Sequence, residues 1–431
     1  MPPLHSAEPF PDLVDESFEE AAFLWRRWES ELSSLTRNLD EVWSWTEDRL
    51  HGALDGVRAG GAAATDVLTQ GLLSDQIDRV TVSAAVLASR FEPGASDAIA
   101  SALSVAEGDT LTAMVRGLEL LGSSQSLRAA ASALAARGPA YMGALCRLKA
   151  FRRVAPGEEI VTAFQSNVPS VQVDALRAVA HVPSRAADEW IAAALRSGDA
   201  TVQYAAVESG IRLGIDQARK TATRLARQLD SGAGPYLKLL AMLGTAEEHE
   251  IVYAALRIPE LQLQAIWALG HIGTGRAAES CLAGMQYEKL ARASGEAYCW
   301  ITGADLERDG LAAEEPPSDV PAFEEEDLDA NLVPPPEALW PLPDPEATGR
   351  HWSARRADFA ADARYIHSRP ATRETRVAMV ETGPMLRRPD LLFQLAAKTE
   401  GQYDVEPRAF TARQRQMMAK GRAALSSPGG R

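Results

Sequence analysis

The chain has 431 residues, of which 46% are hydrophobic and 24% are charged, and its formal net charge is −15. This balance excludes a collagenous or a wholly disordered chain, and the 6% aromatic content with abundant Ala and Leu favours helix over an all-β fold. The length allows two or three domains, and the negative charge disfavours a phosphate backbone as a general partner.

Residues 1–72 predict a helical hairpin that caps the rest of the chain. The first twelve residues have neither the basic nor the apolar region of a secretory signal. Apolar side chains then recur at three- and four-residue steps, as one face of a helix requires. Four tryptophans are candidate partner-binding residues, because Trp is favoured where a partner buries large rigid area: Trp25, Trp28, Trp43 and Trp45. The alternative is that all four fasten the hairpin to the repeats.

Residues 73–306 predict a repeat of two helices per unit. A similar apolar pattern opens at intervals of 31, 30, 30, 31 and 59 residues, starting from these positions: Val80, Leu111, Tyr141, Val171, Val202 and Leu261. Gly and Pro turns separate the helices of each pair. Because a unit of about 30 residues cannot bury its apolar face alone, the units are expected to stack into an α-solenoid.

Residues 307–346 predict an acidic, proline-rich strap. They contain thirteen acidic residues and one basic residue, together with nine of the 25 prolines, so regular helix cannot run through them. One interpretation is a solvated tether. The other is an ordered strap that docks through its large apolar side chains, among which Trp340 is a further candidate binding residue: Leu328, Leu332, Leu339, Trp340 and Leu342.

Residues 347–431 predict a small basic helical module. Sixteen basic residues stand against eight acidic ones, and prolines break the helical pattern. Arginine with interleaved aromatic residues can bind an acidic protein or nucleic acid, and the candidates are Trp352, Arg355, Arg356, Arg387 and Arg388. Intramolecular docking on the acidic body and strap, or an ordinary solvated face, is favoured over an acidic protein partner, and nucleic acid is the least favoured.

Two levels of resemblance accompany these patterns. Residues 261–285 and 171–197 resemble short bacterial HEAT-like repeats. Segments over nearly the whole chain resemble an uncharacterised proteobacterial HEAT-repeat family whose genes often lie in type VI secretion clusters. They are EEAAFLWRR (19–27), LARASGEAYCWITGADLE (290–307), DLDANLV (327–333), PLPDPEA (341–347), ARYIHSRP (363–370), TGPMLRR (382–388) and RAFTARQRQ (408–416). The resemblance implies a role near the loading of secreted effectors and supplies no catalytic residues.

The sequence lacks the familiar signatures of catalysis. No HExxH, GxSxG or DxDxDG motif occurs, and the seven histidines have no pair at metal-ligand spacing. Gly270–Arg276 follows a predicted helix and has no Lys-Ser/Thr, so it predicts a repeat turn and not a phosphate loop. Cys146, Cys281 and Cys299 form no CxxC pair, which indicates a reducing compartment. No cofactor or metal is predicted.

The sequence therefore predicts an all-α protein: an α-solenoid of HEAT-like helix pairs with an N-terminal helical cap, a strap and a C-terminal helical module. The expected function is a non-enzymatic, cytoplasmic protein-binding scaffold, an adaptor or effector-loading chaperone for type VI secretion. Its expected partner is a protein such as a secreted effector or spike component, and no membrane contact is predicted. The alternatives are an immunity protein that occludes a toxin and a lyase-like or modifying enzyme using the solenoid cleft.

Overall fold

Helix accounts for nearly all of the regular structure in the computed structural model, which describes residues 11–90, 93–155, 157–181, 185–315 and 336–426. The strands in this part of the chain form one short antiparallel hairpin, β1 (Tyr365–Ile366) and β2 (Arg369–Pro370). The prediction of an all-α protein is confirmed.

The chain divides into two compact units, Met1–Arg219 with Met379–Arg431, and Lys220–Ala378. The first unit begins with α1 (Pro11–Glu31), α2 (Leu39–Val42), a π-helical turn (Trp43–Glu47), α3 (Asp48–Ala59) and α4 (Gly61–Gly71). Its repeat region contains α5 (Ile77–Ser89), α6 (Pro93–Leu103), α7 (Gly108–Leu121), α8 (Ser124–Ala136), α9 (Met142–Arg152), α10 (Glu159–Phe164), α11 (Pro169–Val179), α12 (Arg185–Ala194) and α13 (Ala200–Arg212).

The unit boundary at residues 219 and 220 lies within α14 (Asp216–Ala226). The second unit continues with α15 (Gly234–Leu243), α16 (Ala246–Ala255), α17 (Gln262–Ile272), α18 (Gly275–Gly284), α19 (Glu288–Thr302) and α20 (Pro345–Arg355). The other boundary lies within α21 (Arg373–Thr382), after which α22 (Arg388–Lys398) and α23 (Thr411–Ser426) belong to the first unit.

In the first unit the first helices of successive repeats pack side by side. The series α5, α7, α9, α11 and α13 has each helix against the next, and the predicted anchors Val80, Val171 and Val202 are buried at these contacts. Gly117 allows α7 to touch the backbone of α5, since a Cβ there would lie 2.7 Å from the Ala85 amide nitrogen. The first helices of the predicted two-helix repeats therefore form one continuous layer in the first unit.

The second unit has the same arrangement in α15, α17 and α19. The β-hairpin lies at the carboxyl ends of these helices: the Tyr365 amide donates to the Gly273 carbonyl (2.7 Å) and the His367 amide to the Trp300 carbonyl (2.8 Å). The Arg364 guanidinium donates to three further carbonyls, those of Ala241 (2.6 Å), Ile272 (3.0 Å) and His271 (2.6 Å). Because helix ends leave carbonyls without partners, Arg364 satisfies them across two repeats.

Both described ends of the strap are attached to the second unit. The Ala313 amide donates to the Leu342 carbonyl (2.8 Å) and the Asp344 amide to the Leu311 carbonyl (2.7 Å), so the two ends pair with each other. Arg292 on α19 pairs with Glu315 (2.9 Å between Nη1 and Oε1) and donates to the Trp340 carbonyl. The predicted docking residues Leu328 and Leu332 lie outside the described residues.

The compact units divide the chain differently from the predicted segments 1–72, 73–306, 307–346 and 347–431. The first unit joins the predicted cap to part of the repeats, and the predicted C-terminal module is shared between the units. Within the first unit the Met385 amide donates to the Arg37 carbonyl and the Leu386 amide to the Ser34 carbonyl, at 2.8 and 2.9 Å. No helix in the described part of the chain has the length and apolar character needed to cross a membrane.

Candidate binding cleft

The repeat helices of the first unit present charged side chains at equivalent positions. Six residues after the anchors Tyr141, Val171 and Val202, the sequence places Arg147 on α9, Arg177 on α11 and Glu208 on α13. The sequence also places a basic residue at or just after the end of each helix: Arg153, His181 and Arg212. Stacking of equivalent helices brings both sets to one face, because α9, α11 and α13 pack against each other in order.

Asp404 binds one basic side chain from each of these three repeats. Its carboxylate lies 2.8 Å from Arg153 Nε, 2.9 Å from Arg212 Nη1 and 2.6 Å from His181 Nδ1. Arg153 also approaches Glu406, at 3.3 Å. Asp404 belongs to the non-helical segment 402–410 between α22 and α23, so this segment crosses the ends of three successive first helices.

The electrostatics of the cluster favour a charged carboxylate beside a neutral imidazole. Burial alone would raise the pKa of Asp404, but the hydrogen bond with His181 and the charges of Arg153 and Arg212 outweigh it and hold that pKa far below its usual range. Burial lowers the pKa of His181 even though its hydrogen bond to Asp404 opposes the shift. The Arg153 backbone is left-handed (φ 57°), a conformation that costs a non-glycine residue about 1 kcal/mol.

Segment 402–411 is anchored along its length within the first unit. Tyr403, Val405 and Ala409 are buried, and Phe410 packs on Trp28, with ring centroids 4.8 Å apart. Arg116 on α7 donates to the Arg408 carbonyl (2.7 Å). The segment is therefore part of the folded first unit, held by apolar side chains as well as charge.

Glu47, in the π-helical turn, fixes the end of this segment. Its buried carboxylate accepts hydrogen bonds from Trp28 Nε1 (2.9 Å), the Thr411 amide (2.8 Å) and the Thr411 hydroxyl (2.8 Å). Burial raises the pKa of Glu47, and the bonds from Thr411 and Trp28 oppose that shift. The N-terminal tryptophan cluster and the start of α23 are thus joined through one carboxyl group.

Next to Asp404 lies an open cleft of about 290 Å³. Its charged lining includes Arg147, Arg177, Arg408, Asp174 and Glu208. Asp174 lies on α11, and Gly143 on α9 leaves room for it, since a Cβ there would lie 2.8 Å from Asp174 Oδ2. Arg147 Nε is 3.4 Å from the same oxygen.

The carboxyl group of Asp174 is poorly solvated. Burial raises its pKa from 3.8 to about 6, against the opposing charges of Arg147 and Arg177. An ionised carboxylate that destabilises the fold beside two arginines is typical of a site kept for binding or chemistry and not for stability.

Replacing Asp174 with asparagine is expected to stabilise the protein above pH 6 by about 2 kcal/mol. The folded-state pKa is raised, so the wild type loses stability as the pH rises from the unfolded-state value of about 4 through 6, whereas the asparagine variant does not. Urea denaturation at pH 5, 6, 7 and 8 measures the difference, which should grow up to pH 6–7 and then stay level. The exposed Asp66, replaced by asparagine, is the control and should give a flat difference. A difference in unfolding free energy between wild type and Asp174→Asn that does not change with pH would contradict this prediction.

Trp25 and Trp28 are buried and pack edge to face, with centroids 6.0 Å apart. Both side chains also pack on Phe410, and the alternative that all four tryptophans fasten the hairpin to the repeats stays a prediction. Trp43 is half-buried, near His51 (6.0 Å between ring centroids), and Trp45 is 55% exposed beneath the Arg37 guanidinium. Among the four, Trp45 has the largest surface available to a partner.

The remaining candidates are distributed over both units. In the second unit, Trp340 is half-buried against Trp267, and Trp352 is buried beside Tyr298 and Phe359. Arg355 pairs with Asp358 at 3.3 Å. Arg356 pairs with Glu279 at 2.7 Å. In the first unit, Arg387 and Arg388 are buried. Arg388 donates to the Val380 carbonyl (2.6 Å) and to Gln414 Oε1 (2.7 Å). Trp352, Arg387 and Arg388 are buried and therefore have internal packing roles. Partner binding by any of the six candidates in this paragraph stays a prediction.

The residues of the cleft were missed by the sequence analysis. The histidines were considered as metal ligands, yet His181 pairs with a carboxylate 223 positions away. The sequence does contain a signal that predicts this cluster, because basic residues recur at the ends of the first helices. Within the described ranges, no group of His, Cys, Asp and Glu side chains has the arrangement of a metal site. Burial raises the pKa of the Cys146 thiol to about 12.

No family model and no curated protein matches the chain. One similar solved structure is described as the crystal structure of an engineered protein. It is 18% identical, the similarity covers 65% of this chain and 87% of that chain, and the TM-score is 0.25. A TM-score this low does not define a shared fold.

Proposed function

We propose that the protein is a non-enzymatic protein-binding scaffold whose partner surface includes the cleft on α9, α11 and α13. One observation carries this proposal: Asp404 is bound by one basic side chain from each of three successive repeats. The repeat face thus already holds an irregular acidic segment of chain, which is the kind of contact that an adaptor makes with a partner.

The proposed architecture behind this surface is an α-solenoid of HEAT-like helix pairs. Its support is the side-by-side packing of α5, α7, α9, α11 and α13 in the first unit and of α15, α17 and α19 in the second. Such stacks bind large partners through many modest contacts.

The concrete form of the proposal is a cytoplasmic adaptor or effector-loading chaperone associated with type VI secretion. It is supported by the resemblance of residues 19–27, 363–370, 382–388 and 408–416 to the proteobacterial HEAT-repeat family. All four segments make structural contacts described above: Trp25 with Trp28, Arg364 and His367 at helix ends, Met385 at the Arg37 carbonyl, and Thr411 at Glu47. The partner is then a secreted effector or a spike component.

Affinity purification of the chromosomally tagged protein, followed by mass spectrometry, tests this function. Cells with an active secretion system should yield one stoichiometric effector or spike protein. An otherwise identical strain lacking that secretion cluster is the control and should not yield it. Recovery of no stoichiometric protein from the folded, full-length chain in either strain would overturn the scaffold proposal.

Deletion of the gene separates the adaptor from an immunity protein. Loss of the adaptor should block export of the effector while leaving sister cells healthy. Poisoning of sister cells, with export intact, would contradict the adaptor form and indicate toxin neutralisation.

A further inference from the structure

Two arginines of the cleft make no hydrogen bond to a carboxylate within the described ranges. Arg147 and Arg177 occupy equivalent positions on α9 and α11, and both line the 290 Å³ cleft. Among the residues that the structure describes, neither guanidinium makes a hydrogen bond to a carboxylate. The nearest approach is Arg147 Nε to Asp174 Oδ2 at 3.4 Å, longer than an N–H···O hydrogen bond, and this Nε is buried without a partner.

The neighbouring cluster indicates what these arginines can bind. Arg147 and Arg177 precede Arg153 and His181 by six and four residues, one to two helical turns along the same two helices. Arg153 and His181 hold the Asp404 carboxylate. The same pair of repeats therefore offers a second set of cationic groups on the face that already binds a carboxylate.

The pairing of charges in the cleft leaves guanidinium groups available to an anion. Asp404 engages Arg153 and Arg212, while Arg116 pairs with Glu119 (3.2 Å). The guanidiniums of Arg147, Arg177 and Arg408 remain, and of the three remaining carboxyl groups, those of Asp174, Glu208 and Glu406, the last already lies 3.3 Å from Arg153. Glu208 already accepts the Tyr204 hydroxyl at 2.9 Å. Planar guanidinium groups match the two oxygens of a carboxylate.

We propose that Arg147 and Arg177 form a subsite for a carboxylate side chain carried by an acidic segment of the partner protein. This inference rests on the proposed scaffold function and names the chemistry that its cleft recognises. Asp174 is the resident competitor for Arg147, and an incoming carboxylate takes its place. Asp174 thus weakens the subsite and sets its affinity.

Fluorescence anisotropy with a fluorescein-labelled hexaglutamate peptide tests the subsite on the full-length protein. Wild type should bind the probe at low ionic strength, and the double variant Arg147→Gln/Arg177→Gln should bind at least tenfold more weakly. The control is Arg128→Gln/Arg196→Gln, which removes two exposed arginines of α8 and the turn after α12 with the same change in net charge. Its affinity should stay within twofold of wild type.

Asp174→Asn supplies an outcome that misfolding cannot produce. Removing the competing charge should tighten hexaglutamate binding several-fold, and this gain should disappear when Arg147 is also replaced by glutamine. Equal weakening by the control pair, no binding by wild type, or unchanged affinity in Asp174→Asn would each overturn the subsite. If the purified partner is still recovered in cells by the Arg147→Gln/Arg177→Gln protein, the subsite fails while the scaffold function stands.

Discussion

Replacement of Asp404 with alanine is expected to destabilise the protein by about 3–5 kcal/mol. The variant leaves Arg153 and Arg212 without their shared carboxylate in a largely buried cluster, and it removes the hydrogen bond to His181. Uncompensated buried charge costs far more than the loss of an exposed ion pair. Urea denaturation at pH 7, followed by circular dichroism, measures the change.

The exposed Asp66 on α4, replaced with alanine, is the matched control and should change stability by less than about 0.5 kcal/mol. The folded-state pKa of Asp404 is depressed, so its contribution is fully present above the unfolded-state value of about 4 and is lost as the pH falls below it. The gap between wild type and Asp404→Ala should therefore be constant from pH 5 to 8. A loss below 1 kcal/mol at pH 7 would mean that the cluster does not hold the segment in place.

Replacement of Arg364 with alanine is expected to destabilise the second unit by about 3 kcal/mol. The variant removes hydrogen bonds to the carbonyls of Ala241, His271 and Ile272, at the ends of α15 and α17. Burial, with the nearby charge of Arg376, lowers the pKa of Arg364 to about 10, which leaves it charged at neutral pH. Hydrogen exchange should show faster exchange in α15 and α17, and the melting midpoint should fall.

The same hairpin contains the control for this variant. Arg369 on β2 is exposed, and its replacement with alanine should leave both readouts near wild type. Arg364→Lys should recover less than half of the loss, because an ammonium group cannot present the fork of donors that reaches three carbonyls. Full recovery with lysine would indicate that charge alone, and not the guanidinium geometry, holds the helix ends.

The repeat could be read from the sequence because its signal is local and periodic. The anchors Val80, Val171 and Val202 are buried where the spacing places them, and the turn at Gly273 ends α17 in a left-handed conformation (φ 70°). The 59-residue interval before Leu261 is close to two repeat lengths, and α15 lies in it. Apolar periodicity and glycine at helix ends depend on neighbours within a few residues, so the sequence contains them directly.

Composition was a poorer guide to which charged and aromatic side chains are exposed. Arg387 and Arg388 were candidates for binding a partner or for docking within the chain; both are buried, and Arg388 has backbone and amide partners. Trp25 and Trp28 pack in the core with Phe410, a residue nearly 400 positions away. A run of arginines or tryptophans does not reveal which of them has a distant internal partner.

The sequence by itself determined the helical class and the turns at Gly122 and Gly273, because these follow from short-range patterns; the predicted turns at 92–94, 155–157 and 182–184 include residues outside the described ranges. The tertiary structure decided where the cleft lies and which charges meet there. Asp404 reaches Arg153, His181 and Arg212 through contacts spanning 192 to 251 positions, and Arg364 reaches helix ends 92 to 123 positions away. Such pairs form because chain folding brings distant charged groups out of water together, and their spacing in the sequence has no period to detect.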